Sequence, residues 1–198
     1  MVFQPTYFSP IVQFRQFLND SNPVFEVYDN YQKQTYRTRC TIYGANGKLS
    51  LNIPIKHTDG MHQLTRDTKI ENAFTWQKNH FKSLENAYRS SPYFEFYEDD
   101  LRPLYETPVT YLLDFLFKTQ DLSLEMLQMV VNYGKTTAYK KSYPSTTDYR
   151  FLANAKLKNN LPDLRYTQVF QDKHGFIPNL SILDLIFNEG PNAISLLQ

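Results

Sequence analysis

The sequence predicts an α/β domain spanning 1–198: a mixed sheet with a β-α-β opening, a β-hairpin and a mainly helical middle, with α+β as the alternative layout. Three observations predict it. Two short apolar stretches flank a helical face near the start, the order that produces parallel strands. Alternating side chains then flank the turn Gly44-Ala-Asn-Gly47. From Thr75 onward, apolar and aromatic residues recur at four-residue spacing. A chain of 198 residues stays below the roughly 250 to 300 at which a single core stops growing, so one core is expected.

In order, Val2 to Gln4 reads as a strand and Pro5 to Pro10 as a turn-rich connection. Ile11 to Leu18 is a helix with Ile11, Phe14, Phe17 and Leu18 on one face. Asn19 to Pro23 turns the chain into a short buried strand at Val24, Phe25 and Val27. If extended, the next segment puts Lys33, Thr35, Arg37 and Arg39 on one face and Gln34, Tyr36, Thr38 and Cys40 on the other. Leu49, Leu51, Ile53 and Ile55 alternate as the hairpin partner, and His57 to Arg66 reads as loop. Trp76, His80, Leu84 and Tyr88 define an amphipathic helix ended by Ser91-Pro92. Thr107-Pro108 has the chemistry to open a helix through Leu116, and Asp121 or Ser123 to cap another reaching Val131. Lys135 to Thr147 lacks apolar periodicity and reads as a mobile loop. Ser181-Ile-Leu-Asp184 is a capping-box-like start, with Asp for Glu, on a short helix stopped by Gly190-Pro191.

A net charge of +1 supplies no general field for nucleic acid or an anionic membrane, so any anion site must be local. Cys40 is the only cysteine, which rules out an internal disulfide and a cysteine zinc site, and it reads as a buried small hydrophobe. With no secretory leader pattern and no apolar run of the roughly 20 residues that span a bilayer, a cytoplasmic protein without a membrane span is expected. No phosphate loop, dinucleotide fingerprint, serine elbow or zinc helix occurs, so no cofactor is named.

Arg37 and Arg39 form the clearest cluster. On a strand their Cα atoms would lie roughly 7 Å apart on one face, a spacing that suits clamping one anion, with Lys33 adding a third charge. A solvated hairpin face with surface ion pairs is the plainer reading. His80, one turn after Trp76 among aromatic neighbours, is either a hydrogen-bonded core histidine or a general acid-base group. His57, His62 and His174 lack ligand spacing, so no metal site is expected. Asp184 and Asn188 form a polar pair one turn apart, facing solvent or a cleft, and Asp148 and Arg150 alternate after the basic loop.

Several blocks carry a resemblance. Gln4-Pro5-Thr6-Tyr7, Asn30-Tyr-Gln-Lys33-Gln-Thr-Tyr-Arg37-Thr-Arg39 and Leu49-Ser-Leu-Asn-Ile-Pro54-Ile resemble the amino-terminal half of the WbqC-like family. Trp76, His80 and Tyr88 to Tyr97 resemble its central helix, and Gly175-Phe-Ile-Pro-Asn-Leu-Ser-Ile-Leu-Asp184-Leu-Ile-Phe-Asn188-Glu-Gly190 resembles its carboxy-terminal signature. The family is largely uncharacterised, is associated with bacterial surface-polysaccharide gene clusters, and has been suggested to include glycine transferases. Where its members carry His before the Gln-Pro pair this chain has Phe3, and it is compressed between Lys141 and Tyr166, so it resembles a short, reduced member.

The resemblance implies a transferase acting on a small molecule through an anionic donor, nucleotide-linked or acyl. Arg37, Arg39 and Lys33 would bind the anion, Gln4 and Tyr7 would position it, and His80 or Asp184 would move a proton. Trp76, Asp148, Arg150 and Asn188 complete the ligand-binding set. A non-catalytic sugar-nucleotide or partner-binding module is the competing class, and a structural interaction protein the third. Oligomeric state is not readable from the sequence.

Overall fold

Pro5 has no amide hydrogen to give a ladder, and the first strand accordingly stops early, at β1 (Val2–Phe3). In the computed structural model, which describes residues 1–56, 63–156 and 161–198, the chain then runs through a buried connection into α1 (Ile11–Leu18). That helix buries Ile11, Val12, Phe14 and Phe17, and returns the chain to β2 (Val24–Phe25), parallel to β1 with Val2 opposite Val24. A later strand, β5 (Gly134–Lys135), adds in parallel on the far side of β2, giving the order β1-β2-β5. Asp148 bridges Val2 in parallel on the outer side of β1. The β-α-β opening is therefore formed. All the carboxyl ends of these segments point to the same edge, where Gln4, Glu26, Thr136 and Arg150 follow.

The hairpin forms its own ladder, β3 (Arg39–Gly44) against β4 (Gly47–Asn52), with Gly44 opposite Gly47 across a two-residue loop. Gly47 has φ of 97°, a left-handed turn conformation that glycine adopts without steric cost. The extended face expected from Lys33 does not form before Arg39. Gln34 takes a φ of 60° and Thr35 Oγ1 donates to the Gln32 carbonyl at 3.0 Å, so 33–38 turns instead of extending.

The helical middle consists of α2 (Trp76–Tyr88), α3 (Phe94–Glu106) and α4 (Leu112–Met126). Thr107-Pro108 closes a helix and does not open one, since the Thr107 amide donates to the Pro103 carbonyl at 3.1 Å. Asp121 and Ser123 lie inside the continuous α4; the Ser123 hydroxyl donates to the Thr119 carbonyl and starts no new helix. Three further helices end the chain: the one-turn α5 (Gln171–His174), α6 (Ile182–Glu189) and α7 (Ala193–Leu197).

α6 is buried along nearly its whole length, with Leu183, Leu185, Ile186 and Phe187 fully enclosed, and it packs against α1, α3 and α4. Ser181 caps it by accepting from the Leu183 amide, and also donates to the Phe8 carbonyl. Asp184 takes no part in that cap. Its side chain turns inward, so the reciprocal capping box expected from the sequence is absent. Among the described residues, no helix is long and apolar enough to cross a membrane.

Candidate functional site

At the carboxyl ends of the parallel segments lies a cavity of about 650 Å³. Gln4 follows β1, Asp29 to Gln32 follow β2, Tyr139 to Ser145 follow β5, and Arg150 to Asn154 follow the Asp148 bridge. Open parallel sheets place ligands in this crevice, because the connections diverge there and free backbone and side-chain polar groups collect.

Its buried end is organised around Asp29. One carboxylate oxygen accepts from Arg37 Nη2 at 2.5 Å and from Gln4 Nε2 at 3.1 Å, and the other accepts from the Thr65 hydroxyl at 2.7 Å. Arg37 is only 2% exposed. Burial lowers its pKa, and the Asp29 carboxylate opposes that shift.

Arg150 organises the other wall. Nε and Nη2 fork onto the Asp148 carboxylate at 2.8 and 2.6 Å, while Nη1 and Nη2 donate to the carbonyls of Lys140 and Lys141 at 2.8 and 3.2 Å. These bonds hold Asp148 below the usual carboxylate range and raise Arg150. The buried Glu26 stands 3.9 Å from Arg150 Nη1. At the mouth, Tyr139 and Phe151 present rings that are 52% and 40% exposed. Lys141 is the cavity cation with no carboxylate partner among the described residues.

Two polar clusters lie away from this cavity. Tyr7 is fully buried, its hydroxyl 3.1 Å from His80 Nδ1 and 2.7 Å from the Tyr105 hydroxyl. Trp76 packs edge-on against the His80 ring, and the imidazole also meets the Asn52 backbone. Burial lowers His80 to about 4, so it is neutral near pH 7. Asp184 accepts from the Tyr88 and Tyr166 hydroxyls at 2.6 and 2.5 Å and from Gln168 Nε2 at 3.4 Å. Burial raises it to about 6, against those hydrogen bonds. Asn188 donates back to the Asp184 carbonyl at 2.7 Å. Asp184 and Asn188 therefore face the core, and neither solvent nor the cavity described above. Among the described residues, no three His, Cys, Asp or Glu side chains converge in a metal-binding group.

The model of the WbqC-like protein family matches this sequence over residues 4–153 and 150–196. The chain belongs to the WbqC-like protein family. It is similar to a protein of Mycobacterium tuberculosis described as uncharacterized protein Rv1507c, with 26% identity over 197 aligned positions covering 85% of each chain. No solved structure matches.

In this WbqC-like chain the blocks quoted from the sequence separate into two structural groups. Gln4 of the first block and Arg37 of the second reach the cavity, along with Asp148 and Arg150. Trp76, His80, Asp184 and Asn188 serve buried clusters instead, and Tyr7 joins them although it is only three residues from Gln4. The Arg37 and Arg39 clamp is not formed. Arg37 turns in to Asp29, whereas Arg39 starts β3 and donates through Nε to Asn52 Oδ1 at 3.1 Å across the hairpin. Lys33 is exposed and does not line the cavity. His57 and His62 lie outside the described residues, and Cys40 is buried, with its thiol pushed up to about 12 by desolvation.

Sequence reasoning missed Asp29, Tyr139, Lys141, Tyr143, Phe151 and Asn154 as lining residues. One signal was available. Every one of them lies shortly after a segment that pairs in parallel, the position where such sheets gather ligand contacts.

Proposed function

We propose that this chain is a transferase, acyl- or aminoacyl-type, that holds an anion-bearing donor in the cavity at the carboxyl ends of its parallel strands and serves surface-polysaccharide or amino-sugar modification. The observation that carries this reading is the convergence of Gln4, Arg37, Asp148 and Arg150 there, from three separate stretches of sequence. Lys141 offers an unpaired charge to a phosphate or carboxylate, and the Tyr139 and Phe151 rings offer faces to a planar group. Asp29 and Asp148 are the acidic groups on hand for proton transfer in this cavity.

One observation favours a second reading, binding without turnover. Both carboxylates are engaged by arginines, and Asp148 is held below its usual range, which makes it a weak base. Mass spectrometry of the purified chain with nucleotide-linked and acyl donors, sugars and amino acids separates the two. A new covalent product establishes transfer. A retained donor with no product, released by Lys141→Ala, establishes the binding module, and no retention of any donor overturns both.

A further inference from the structure

Of the charged and aromatic side chains that line the cavity, most are already engaged within the protein. Arg37 is committed to Asp29, and Arg150 to the Asp148 carboxylate and the Lys140 and Lys141 carbonyls. The Arg150 guanidinium also covers the Tyr143 ring at 4.8 Å. The Lys141 ammonium and the rings of Tyr139 and Phe151 are the groups left exposed there. Tyr139 follows β5 and Phe151 follows the Asp148 bridge, the two outermost segments of the parallel array.

Phe151 is held ready for a flat partner. It lies in the 3₁₀ turn Arg150–Ala153, where successive side chains point about 120° apart, so Leu152 and Ala153 enter the core while Phe151 emerges. The backbone around it is fixed on both sides: the Tyr149 amide donates to the Val2 carbonyl at 2.9 Å, and the Tyr36 amide donates to the Ala153 carbonyl at 2.8 Å. The Phe151 ring stacks on Tyr149, with centroids 6.0 Å and planes 29° apart, and Tyr149 packs in turn on the fully buried Phe3 at 5.6 Å and 35°. Phe151 is therefore the outermost of three successive rings that begin in the core. A ring braced in this way loses little freedom when a second flat ring covers it. A phosphate alone would use Lys141 and leave both exposed rings bare, whereas a nucleoside phosphate uses all three groups.

We infer that the mouth of this cavity binds the nucleoside phosphate portion of the donor, with the base stacked on Phe151, the phosphate beside the Lys141 ammonium and Tyr139 as a second ring contact. This rests on the donor-site reading above and narrows it to a donor that carries a nucleotide, the portion that a nucleotide-linked sugar and a nucleotide-borne acyl thioester share. The test is calorimetric titration of the purified chain with uridine diphosphate, adenosine diphosphate, inorganic pyrophosphate and methyl glucopyranoside as separate probes. At least one nucleotide is expected to bind more tightly than pyrophosphate, and the tighter of the two identifies the kind of donor. Phe151→Ala is expected to weaken that nucleotide about tenfold and to leave pyrophosphate unchanged, while Lys141→Ala weakens both. Phe151→Leu keeps an apolar contact with Tyr149 and removes the aromatic face; it is expected to lose as much nucleotide affinity with an unchanged unfolding midpoint.

Nucleotides that bind no more tightly than pyrophosphate, with all binding lost in Lys141→Ala, overturn the inference and leave the donor-site reading standing. Nucleotide binding that Phe151→Leu does not weaken also overturns it, as does glucoside binding that depends on Phe151 while neither nucleotide binds. Silence to all four probes overturns the two readings together.

Discussion

Lowering the pH from 7 to 4 titrates two buried groups whose protons pull stability in opposite directions. Asp184 binds its proton more tightly folded than unfolded, at about 6 against an ordinary 3.8, because burial disfavours its charge. Its contribution is fully present below about pH 4 and is lost as pH rises through about 6. His80 binds its proton less tightly folded, at about 4 against 6.5, again through burial. Its contribution is fully present above pH 6.5 and is lost as pH falls towards 4. A shift of about 2 units is worth about 3 kcal/mol, so each group changes stability by that amount over nearly the same window, and the two largely cancel in the intact chain. Removing either unmasks the other. In His80→Gln, stability is expected to rise by about 3 kcal/mol as pH falls from 6.5 to 4; in Asp184→Asn it is expected to fall by a similar amount. Urea unfolding at a series of pH values reads this as opposite drifts in midpoint of about 1.5 M, for a slope near 2 kcal/mol per molar. Parallel pH profiles in the two variants would refute the reasoning, because they would mean that neither group titrates in the fold as its burial requires.

Other expectations follow from single contacts. Gly190 has φ of 54°, and a Cβ there would lie 2.6 Å from the Tyr93 ring, so Gly190→Ala is expected to destabilise by about 3 kcal/mol; an unchanged urea midpoint would contradict it. Arg150→Lys keeps the charge but loses the fork that ties Asp148 to the Lys140 and Lys141 carbonyls. Proteolysis within residues 136–147 should become about tenfold faster, and equal rates would show that the fork does not hold this wall. Lys141→Ala should flatten the salt dependence of donor binding, whereas a retained slope would place the anion elsewhere.

Periodicity located Ile11 to Leu18 and the Trp76 to Tyr88 helix because both depend on contacts one turn apart. The same method divided α4 at Asp121, where a cap-type residue sits in a helix interior. Its carboxylate accepts from the Tyr133 hydroxyl at 2.6 Å, a partner 12 residues away that no local pattern announces. The Lys33 to Cys40 alternation failed for a related reason. A positive φ at Gln34 and a buried ion pair to Asp29 outweigh an alternation that residues with no cross-strand partner cannot enforce. For the site, Gln4, Arg37, Asp148 and Arg150 were all named from sequence, but the cavity they share depends on parallel pairing between segments more than 100 residues apart.

That pairing changes the chemistry as well as the geometry. On a solvated strand, Arg37 would keep its full charge for a ligand, and two arginines on one face would make an anion clamp. Buried at 2% exposure, a guanidinium needs a carboxylate within the protein before it meets any ligand, since an isolated buried charge costs several kcal/mol. Asp29 meets that need, and Asp148 does the same for Arg150. Once both pairs are formed, the deep end of the cavity offers directed hydrogen-bond donors and acceptors in place of net positive charge. The arginines that suggest an anion clamp in the sequence are therefore paired within the protein in the fold, and Lys141 is the cavity cation left without a carboxylate partner among the described residues.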